Sequence, residues 1–501
     1  MNKNIRKKLA KRKRKIEKRT QKRNWTHQSK PMMAGRNICY DVDGRHQAIA
    51  YGGIGVIHQL AAKTGLINEI DACVTLLKRH LPYHESDHIL NIAYNYMAGG
   101  SCLQDIELLR NDEGWLNALG AQIIPDPTTA GDFLRRFTET DIGAFLDAKN
   151  TVRKKIWQMQ PATFLREAII NVDGTICATD GQCKQGMDIS YNGQWGYHPL
   201  VISLHNTREP LFIVNRSGNV ASHHDCAPWV DKSLDLVGSC FQKVQLRGDT
   251  DFGLTNHFDK WDRQCTFIFG MDAMPNLKKL ADQLGASDWQ PLEKRPHRQV
   301  KTYERRKPEN VKQLVVKKRK FKKIITTAED IAECEYRPVK CKKTYRLIIL
   351  RKTLDVVRGE MNLFEDVRYF FYITNDRKRC ANQMIHFYRA RSDHENDIEQ
   401  LKNGVKALNP ASDTLLSNWA LMTIASLAWD LKAWFGLLLS YRPLGLSVVR
   451  MEFKRFINTF MRIPCLIVRT GRRICYRIVG YNDKLAHVIK FSDRMKSFGF
   501  T

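Results

Sequence analysis

Apolar positions change their period several times along this chain, and each change predicts a different kind of element. Between about Ile38 and Asn150 they recur at helical spacing, in IGVIHQLAAKTGLINEI, HILNIAYNYMAGGSCLQDIELL and TTAGDFLRRF, which predicts a compact helical domain. Pro127 followed by Thr128 and Thr129 marks the start of its last helix, with either threonine available as the cap and Arg135 and Arg136 projecting from it. Such a domain suits groove reading or plain packing equally well. Strand-like runs follow: REAIINVDGT, YHPLVISLHN and PLFIVNRSGN, then the helical PWVDKSLDLVGS, then KVQLRGDTDF and CTFIFGMDA. Three strands, a helix and two more strands predict a mixed α/β sheet, its middle strands apolar enough to be covered on both faces.

From about Pro275 to Asn375 the pattern becomes Lys/Arg-dense, β-branched alternation, as in QLVVKKRKFKKIITT, PVKCKKTYRLIILRKT and RYFFYITN, which predicts a basic β-rich insertion. Within it Lys317 to Lys323, with Phe321 interleaved, is either a surface for DNA or the solvated side of an exposed hairpin. Helices resume at Ala381, and the C-terminal tail is again basic (FKRF, RTGRR). The longest apolar stretch, Leu415 to Leu439, is long enough to raise the question of a membrane span. Asp430 and Lys432 interrupt it, and Trp419, Trp429 and Trp434 are scattered through it, so the expectation is a buried helix pair.

Composition adds a partner. The 501 residues carry a formal net charge of +29, far beyond what solubility needs, and this favours a polyanion, nucleic acid ahead of a membrane surface. At roughly 150 residues per domain the length suits two to four domains. Met1 to Arg36 holds fifteen Lys/Arg and one acid, Glu17, so alone it is disordered or a bare charged helix, best suited to tether the chain to phosphates without reading bases. No apolar region stands behind this basic start as a secretory signal would require, which leads to the expectation of an intracellular, cytoplasmic protein. The thirteen cysteines lack zinc-ribbon or redox spacing and are expected to be reduced; His223, His224 and Cys226 form a His/Cys cluster without a matching second half.

The chemistry concentrates in Tyr388 to Lys402, YRARSDHENDIEQLK. On a straight helix at about 100° per residue, Arg391, Glu395 and Lys402 fall roughly 60°, 20° and 40° behind Tyr388, so a phenol, a guanidinium, a carboxylate and an ammonium share one face. By itself this is also what a solvated helix with internal ion pairs looks like. Two distant aspartates change the reading. Asp173 closes the apolar run Ala168 to Val172 and Asp249 follows KVQLRG, both at strand ends, where catalytic groups of open sheets gather, although Asp-Gly and Gly-Asp are also ordinary turn dipeptides. Two strand-end aspartates and a helical glutamate supply the hard oxygen ligands that Mg²⁺ or Mn²⁺ prefers, and two such ions serve an in-line displacement at phosphorus.

Asp173 in NVDGT, Asp249 in LRGDTDF and the series Tyr388, Arg391, Glu395, Lys402, with two, three and six residues between successive members, resemble the DDE transposases of bacterial insertion sequences. The resemblance spans roughly residues 40 to 490. It implies an α/β fold with a ribonuclease-H-like mixed-sheet core, organised as a basic tail 1–36, a helical N-terminal domain 37–150, a catalytic domain 151–402 interrupted by the insertion at about 275–375, and a helical C-terminal region 403–501. It implies that Asp173, Asp249 and Glu395 are catalytic and bind two Mg²⁺ (or Mn²⁺) ions, and that Tyr388, Arg391 and Lys402 bind DNA phosphates. The partners implied are double-stranded DNA, both transposon terminal inverted repeats and target, and a second copy of the chain in a synaptic homodimer. Helix geometry alone leaves Glu399 open beside Glu395, and Asp251, on the same side of an extended segment, open beside Asp249. Trp289 matches no motif. Two rivals are weighed against this reading. One is an inactive or repurposed DNA-binding descendant. The other is a tyrosine recombinase built on His386, Arg389 and Tyr441.

Overall fold

The computed structural model describes the chain apart from residues 22–32, 34, 36, 294–310, 321, 359–360, 472 and 500–501. Most of the 22–36 stretch of the basic tail lies outside the described residues, as do Phe321 and the side chains of Lys317, Lys322 and Lys323 from the basic patch. Residues Lys3–Gln21 form a helix with no buried residue. The fold is α/β, and the expected succession is present along the chain: strands Ala168–Gly174, Leu200–Leu204 and Glu209–Val214, helix Cys226–Gly238, strands Val244–Gly248 and Thr266–Met271. That is the element order of a ribonuclease-H-like core. The chain divides into two compact units, one formed by Arg166–Gly174 with Ala221–Glu395, the other by Met1–Leu165, Thr175–Val220 and Asn396–Thr501.

The first unit is built on a sheet whose strands lie in the order Ala168–Gly174, Val244–Gly248, Thr266–Met271, Met361–Thr374, Tyr345–Arg358, Lys322–Tyr336 and Gln290–Pro291. The first two junctions are parallel and the rest antiparallel. The parallel strand Thr266–Met271 reads as an apolar run because both its faces are covered, whereas Val244–Gly248, buried at every residue, carries Gln245 and Arg247 between its apolar positions. The strands of the expected insertion extend this same sheet, with Phe371 opposite Met271 and Thr374 opposite Ile268. Val311–Arg319, expected to alternate as a strand, is instead a helix. Its Leu, Lys, Arg and Gln are good helix formers, and the sheet registers begin only at Lys322.

Helix Ala381–Arg389 lies on this sheet because Ala381, Met384, Ile385 and Tyr388 recur at helical spacing and pack against Ile268, Ile331, Ile348, Leu350 and Tyr372. Two polar bonds fix its azimuth. Arg389 pairs with Glu329 at 2.7 Å, and His386 Nε2 bonds the Glu293 carbonyl at 2.8 Å. The His386 and Arg389 of the recombinase reading are therefore committed to holding a helix on its sheet.

In the second unit, IGVIHQLAAKTGLINEI forms two helices, Ile54–Lys63 and Leu66–Cys73, because Gly65 takes φ +75° between them. The last predicted helix, Pro127–Arg135, is capped by neither threonine: Asp126 accepts from Thr129 N, with Pro127 in the first turn. A proline there pre-sets the helical φ, and the cap falls on Asp126, two residues before the nearer threonine. The helix Glu139–Gln158 has no counterpart among the predicted elements. Leu415–Leu438 is one unbroken helix and not a pair. It is long and apolar enough to cross a membrane by length and composition, yet its apolar window is wholly buried in protein.

The two charges expected to interrupt that helix are absorbed by partners. Asp430 pairs with Lys149 at 2.8 Å and with Arg153 at 2.9 Å. Arg153 also pairs with Glu209 at 2.9 Å, and Glu209 accepts from Trp157 at 3.0 Å and Trp434 at 2.8 Å. Lys432 donates to the Met451 carbonyl at 2.5 Å, its ammonium 3.4 Å from the Trp429 ring centroid. Asp430 is thus paired with two cations, and burial pushes the Lys432 ammonium well below the usual lysine range, so neither leaves an uncompensated charge inside the helix.

Candidate active site

Register brings the two aspartates together. Asn171 lies opposite Arg247 and Val172 opposite Gly248 in the parallel pair, so Asp173 and Asp249 come next on neighbouring strands, about 5 Å apart along the backbone. Strand alternation places Asn171 with Asp173, and Arg247 with Asp249, on one face. Asp173 Oδ1 accepts from the Gly174 amide at 2.9 Å, and the strand continues through both residues, so this Asp-Gly is not a turn.

After Asp249 the chain enters a short 3₁₀ turn, Thr250–Phe252, which Asp249 caps by accepting from the Asp251 amide at 3.0 Å. Asp251 therefore does not share an extended segment with Asp249. The cap folds the backbone back, and Asp251 is left exposed. Gly270, on the next strand, keeps this corner open: a Cβ there would lie 2.8 Å from Thr250 Cγ2 and 3.1 Å from the Tyr388 hydroxyl.

The stretch from Tyr388 to Lys402 is not one straight helix. Helix Ala381–Arg389 ends, a turn covers Ala390 and Arg391, a second helix runs Ser392–Glu399, and Gln400–Gly404 is π-helical. At the bend, Arg391 N bonds Tyr388 O and His394 N bonds Arg391 O, both at three-residue spacing. Ser392 to Glu395 has the Ser-x-x-Glu form that starts helices, a signal readable in the sequence and overridden by the four-residue stripe. Angles summed on a straight helix do not survive a tightened turn and a widened one.

Arg391 is the hub of what the bend presents. Its Nη1 donates to Asp173 Oδ2 at 2.7 Å and its Nη2 reaches Glu395 Oε1 at 3.4 Å, the long end of a hydrogen bond. Asp173 and Arg391 are each 14% exposed and Glu395 is 62% exposed, so the first contact is sheltered and the second is in water. Tyr388 packs its ring 4.6 Å from Tyr372. Glu399 accepts instead from Asn403 at 2.5 Å. In the second unit Lys402 Nζ donates to the Ile176 carbonyl at 2.7 Å. Tyr441 of the recombinase reading is exposed there, its ring stacked against His487.

Burial pushes the Asp173 carboxyl up to about 6, Arg391 works against the rise and the neighbouring Asp249 adds to it. Asp249 is also raised, by burial first, with Arg391 opposing and Asp251 adding. Burial works against the charge on Arg391, but Asp173, Tyr388, Asp249 and Glu395 together hold its pKa above the ordinary value. One guanidinium thus serves two sheltered carboxylates that repel one another. That excess of negative oxygen suits a hard divalent cation. Among the described residues no three His, Cys, Asp or Glu side chains are already gathered for a metal. Asp173 and Asp249 fit such an ion, while Glu395 is still turned to Arg391.

A stability measurement follows from the sign of the Asp173 shift. Its folded pKa, about 6, lies above the ordinary 3.8, so the cost of ionising it in the fold is absent below about pH 4, grows as pH rises through 6 and is complete above. Asp173→Asn removes that cost. In chelator at pH 7.5 the variant is expected to melt above the parent, by the equivalent of up to about 3 kcal/mol, with the gain gone at pH 4. Equal melting at both pH values would contradict it.

Sequence reasoning missed Asn171 and Arg247, buried directly behind the two aspartates. The available signal was a polar residue two positions before each carboxylate, flanked by Ile170 and Val172 in one strand and by Leu246 and Gly248 in the other.

The family model described as "Transposase DDE domain group 1" matches residues 30–494. Among solved structures the fold is similar to "Cryo-EM structure of piggyBac transposase synaptic complex with hairpin DNA (SNHP)", at 9% identity and a TM-score of 0.37, covering 90% of this chain and 86% of that one. No curated protein matches.

Proposed function

The chain belongs to the DDE transposases, and we propose that it cuts DNA at the ends of an insertion sequence and joins the freed 3′-hydroxyls to target DNA. The observation that carries this reading is the parallel register that sets Asp173, bonded by Arg391, beside Asp249. Asp173, Asp249 and Glu395 would hold Mg²⁺ or Mn²⁺, two ions in this reading, and such a pair supplies activation of an attacking oxygen and stabilisation of a leaving one. Of the two glutamates, Glu395 is the better third ligand, because Arg391 already joins it to Asp173 while Glu399 is bonded to Asn403.

The remaining residues act on the DNA. Arg391 exchanges its carboxylate partners for a phosphate beside the scissile bond, which releases Asp173 and Glu395 together. A planar fork can make that exchange while keeping two hydrogen bonds. Tyr388, packed on Tyr372, offers its hydroxyl to the same backbone, and Lys402 exchanges the Ile176 carbonyl for another phosphate. Water, then the freed 3′-hydroxyl, is the attacking group, and no bond to the enzyme forms. Two copies of the chain would hold the two ends.

Incubation with labelled terminal inverted-repeat DNA and Mg²⁺ tests the reading. Metal-dependent nicking that leaves 3′-hydroxyls is expected. Tight binding without cleavage under any divalent ion would point to the repurposed DNA-binding descendant, and a covalent protein–DNA adduct formed without metal to the recombinase. Lys402→Ala is expected to weaken binding of all DNA sequences alike and to reduce the slope of log affinity against log salt by about 1. An unchanged slope would remove Lys402 from the phosphate contacts.

A further inference from the structure

Arg247 is 1% exposed, on the strand that leads directly to Asp249. A guanidinium in a fully buried parallel strand is costly unless its hydrogen bonds are used. Its Nε donates to Asn171 Oδ1 at 2.9 Å, across to the Asp173 strand, and its Nη1 to the Phe387 carbonyl at 2.7 Å. It also lies over the Phe387 ring at 4.7 Å, which Arg379 approaches at 4.2 Å. Arg379 is tied in turn to Gln245, two residues before Arg247 on the same strand.

Phe387 stands in the last turn of helix Ala381–Arg389, where carbonyls lack helical partners. On the far side of the bend, Asp393 opens the next helix, and it is the neighbour that most favours the charge on Arg247. Arg247 therefore holds the near side of the turn at Ala390 and Arg391 by a hydrogen bond, and the Asp393 carboxylate favours its charge from the far side. That turn aims Arg391 at Asp173 and Glu395. Arg247 Nη2 and Asn171 Nδ2 have no hydrogen-bond partner among the described residues, so packing alone did not select two such polar groups here.

We propose that Arg247 is a positioning residue of the site: from the Asp249 strand it sets the bend that brings Arg391 and Glu395 to Asp173 and Asp249. The proposal rests on the carboxylate reading of the site. A lysine could reach the Phe387 carbonyl but could not also hold Asn171, since it lacks the planar fork.

The test compares Arg247→Met, Arg247→Lys, Asp393→Asn and Asp249→Asn in the full chain, by terminal-repeat DNA binding, direct Mn²⁺ titration and cleavage rate. Arg247→Met is expected to bind terminal-repeat DNA no more than about tenfold more weakly, as loss of one phosphate contact would give, to need about tenfold more Mn²⁺ for half-saturation, and to cleave between about tenfold and a hundredfold more slowly. Arg247→Lys is expected to recover part of both losses. A folded Arg247→Met with unchanged Mn²⁺ half-saturation overturns the proposal. Should Arg247→Met yield no soluble protein, Asp393→Asn decides. It is expected to shift Mn²⁺ half-saturation in the same direction, and no shift overturns the proposal. Cleavage that survives Asp249→Asn would overturn the carboxylate reading and this proposal with it, whereas loss there beside a normal Arg247→Met overturns this proposal alone.

Discussion

Glu395→Gln is expected to lower cleavage of labelled terminal-repeat DNA by on the order of a thousandfold while leaving DNA binding intact, and Glu399→Gln to change neither. The asymmetry comes from what each carboxylate already touches. Arg391 ties Glu395 to Asp173, and Glu399 is bonded to Asn403. Asp173→Asn and Asp249→Asn are expected to fail as completely as Glu395→Gln. Double variants should be no worse than single ones, because groups that act as a unit do not lose activity additively. A divalent metal should raise the melting temperature of the parent and not that of Asp173→Asn, since a ligand that binds only the folded state stabilises it. Full activity in Glu395→Gln, with loss in Glu399→Gln, would move the third ligand four residues along the chain.

The largest expected loss of stability lies in the other unit. Asp430→Leu leaves Lys149 and Arg153, 1% and 0% exposed, without the carboxylate between them. Breaking a buried pair from one side costs about 3–5 kcal/mol, because the remaining charge stays desolvated. A clearly lower melting temperature, or loss of soluble protein, is the expected result. Lys496→Gln breaks an exposed ion pair with Asp493 and serves as the control, with no measurable change expected. If both variants melted alike, the network would not be what lets a charged residue sit inside the Leu415–Leu438 helix. The same comparison bears on that helix as a buried core element, since its apolar window is covered by protein.

Much of the site was readable in the chain because its signals are local. A carboxylate closing an apolar run marks a strand end whatever the rest of the fold does, and Asp173 and Asp249 were legible in that way. The stripe was legible in spacing but not in shape. Ser392 to Glu395 carries a helix-start signal, and the bend there turns Arg391, rather than Glu395, into the residue nearest Asp173. Asp251 was an alternative on an extended chain, and the cap made by Asp249 ends that extended segment. Arg247 was hidden because a lone arginine in a strand has no meaning until its neighbours across the sheet and above it are known.

By itself the sequence determined the order of the strands and helix that build the sheet core, the excess of positive charge, and which carboxylates are candidates, since all of these follow from short-range periodicity and residue chemistry. The tertiary structure decided register and direction. Parallel pairing of two strands more than seventy residues apart, Ala168–Gly174 with Val244–Gly248, put two like charges side by side. Burial then raised both carboxyls, and the turn between two helices supplied the arginine that bonds Asp173. Charge placement of that kind depends on distances through space, and no period along the chain encodes it.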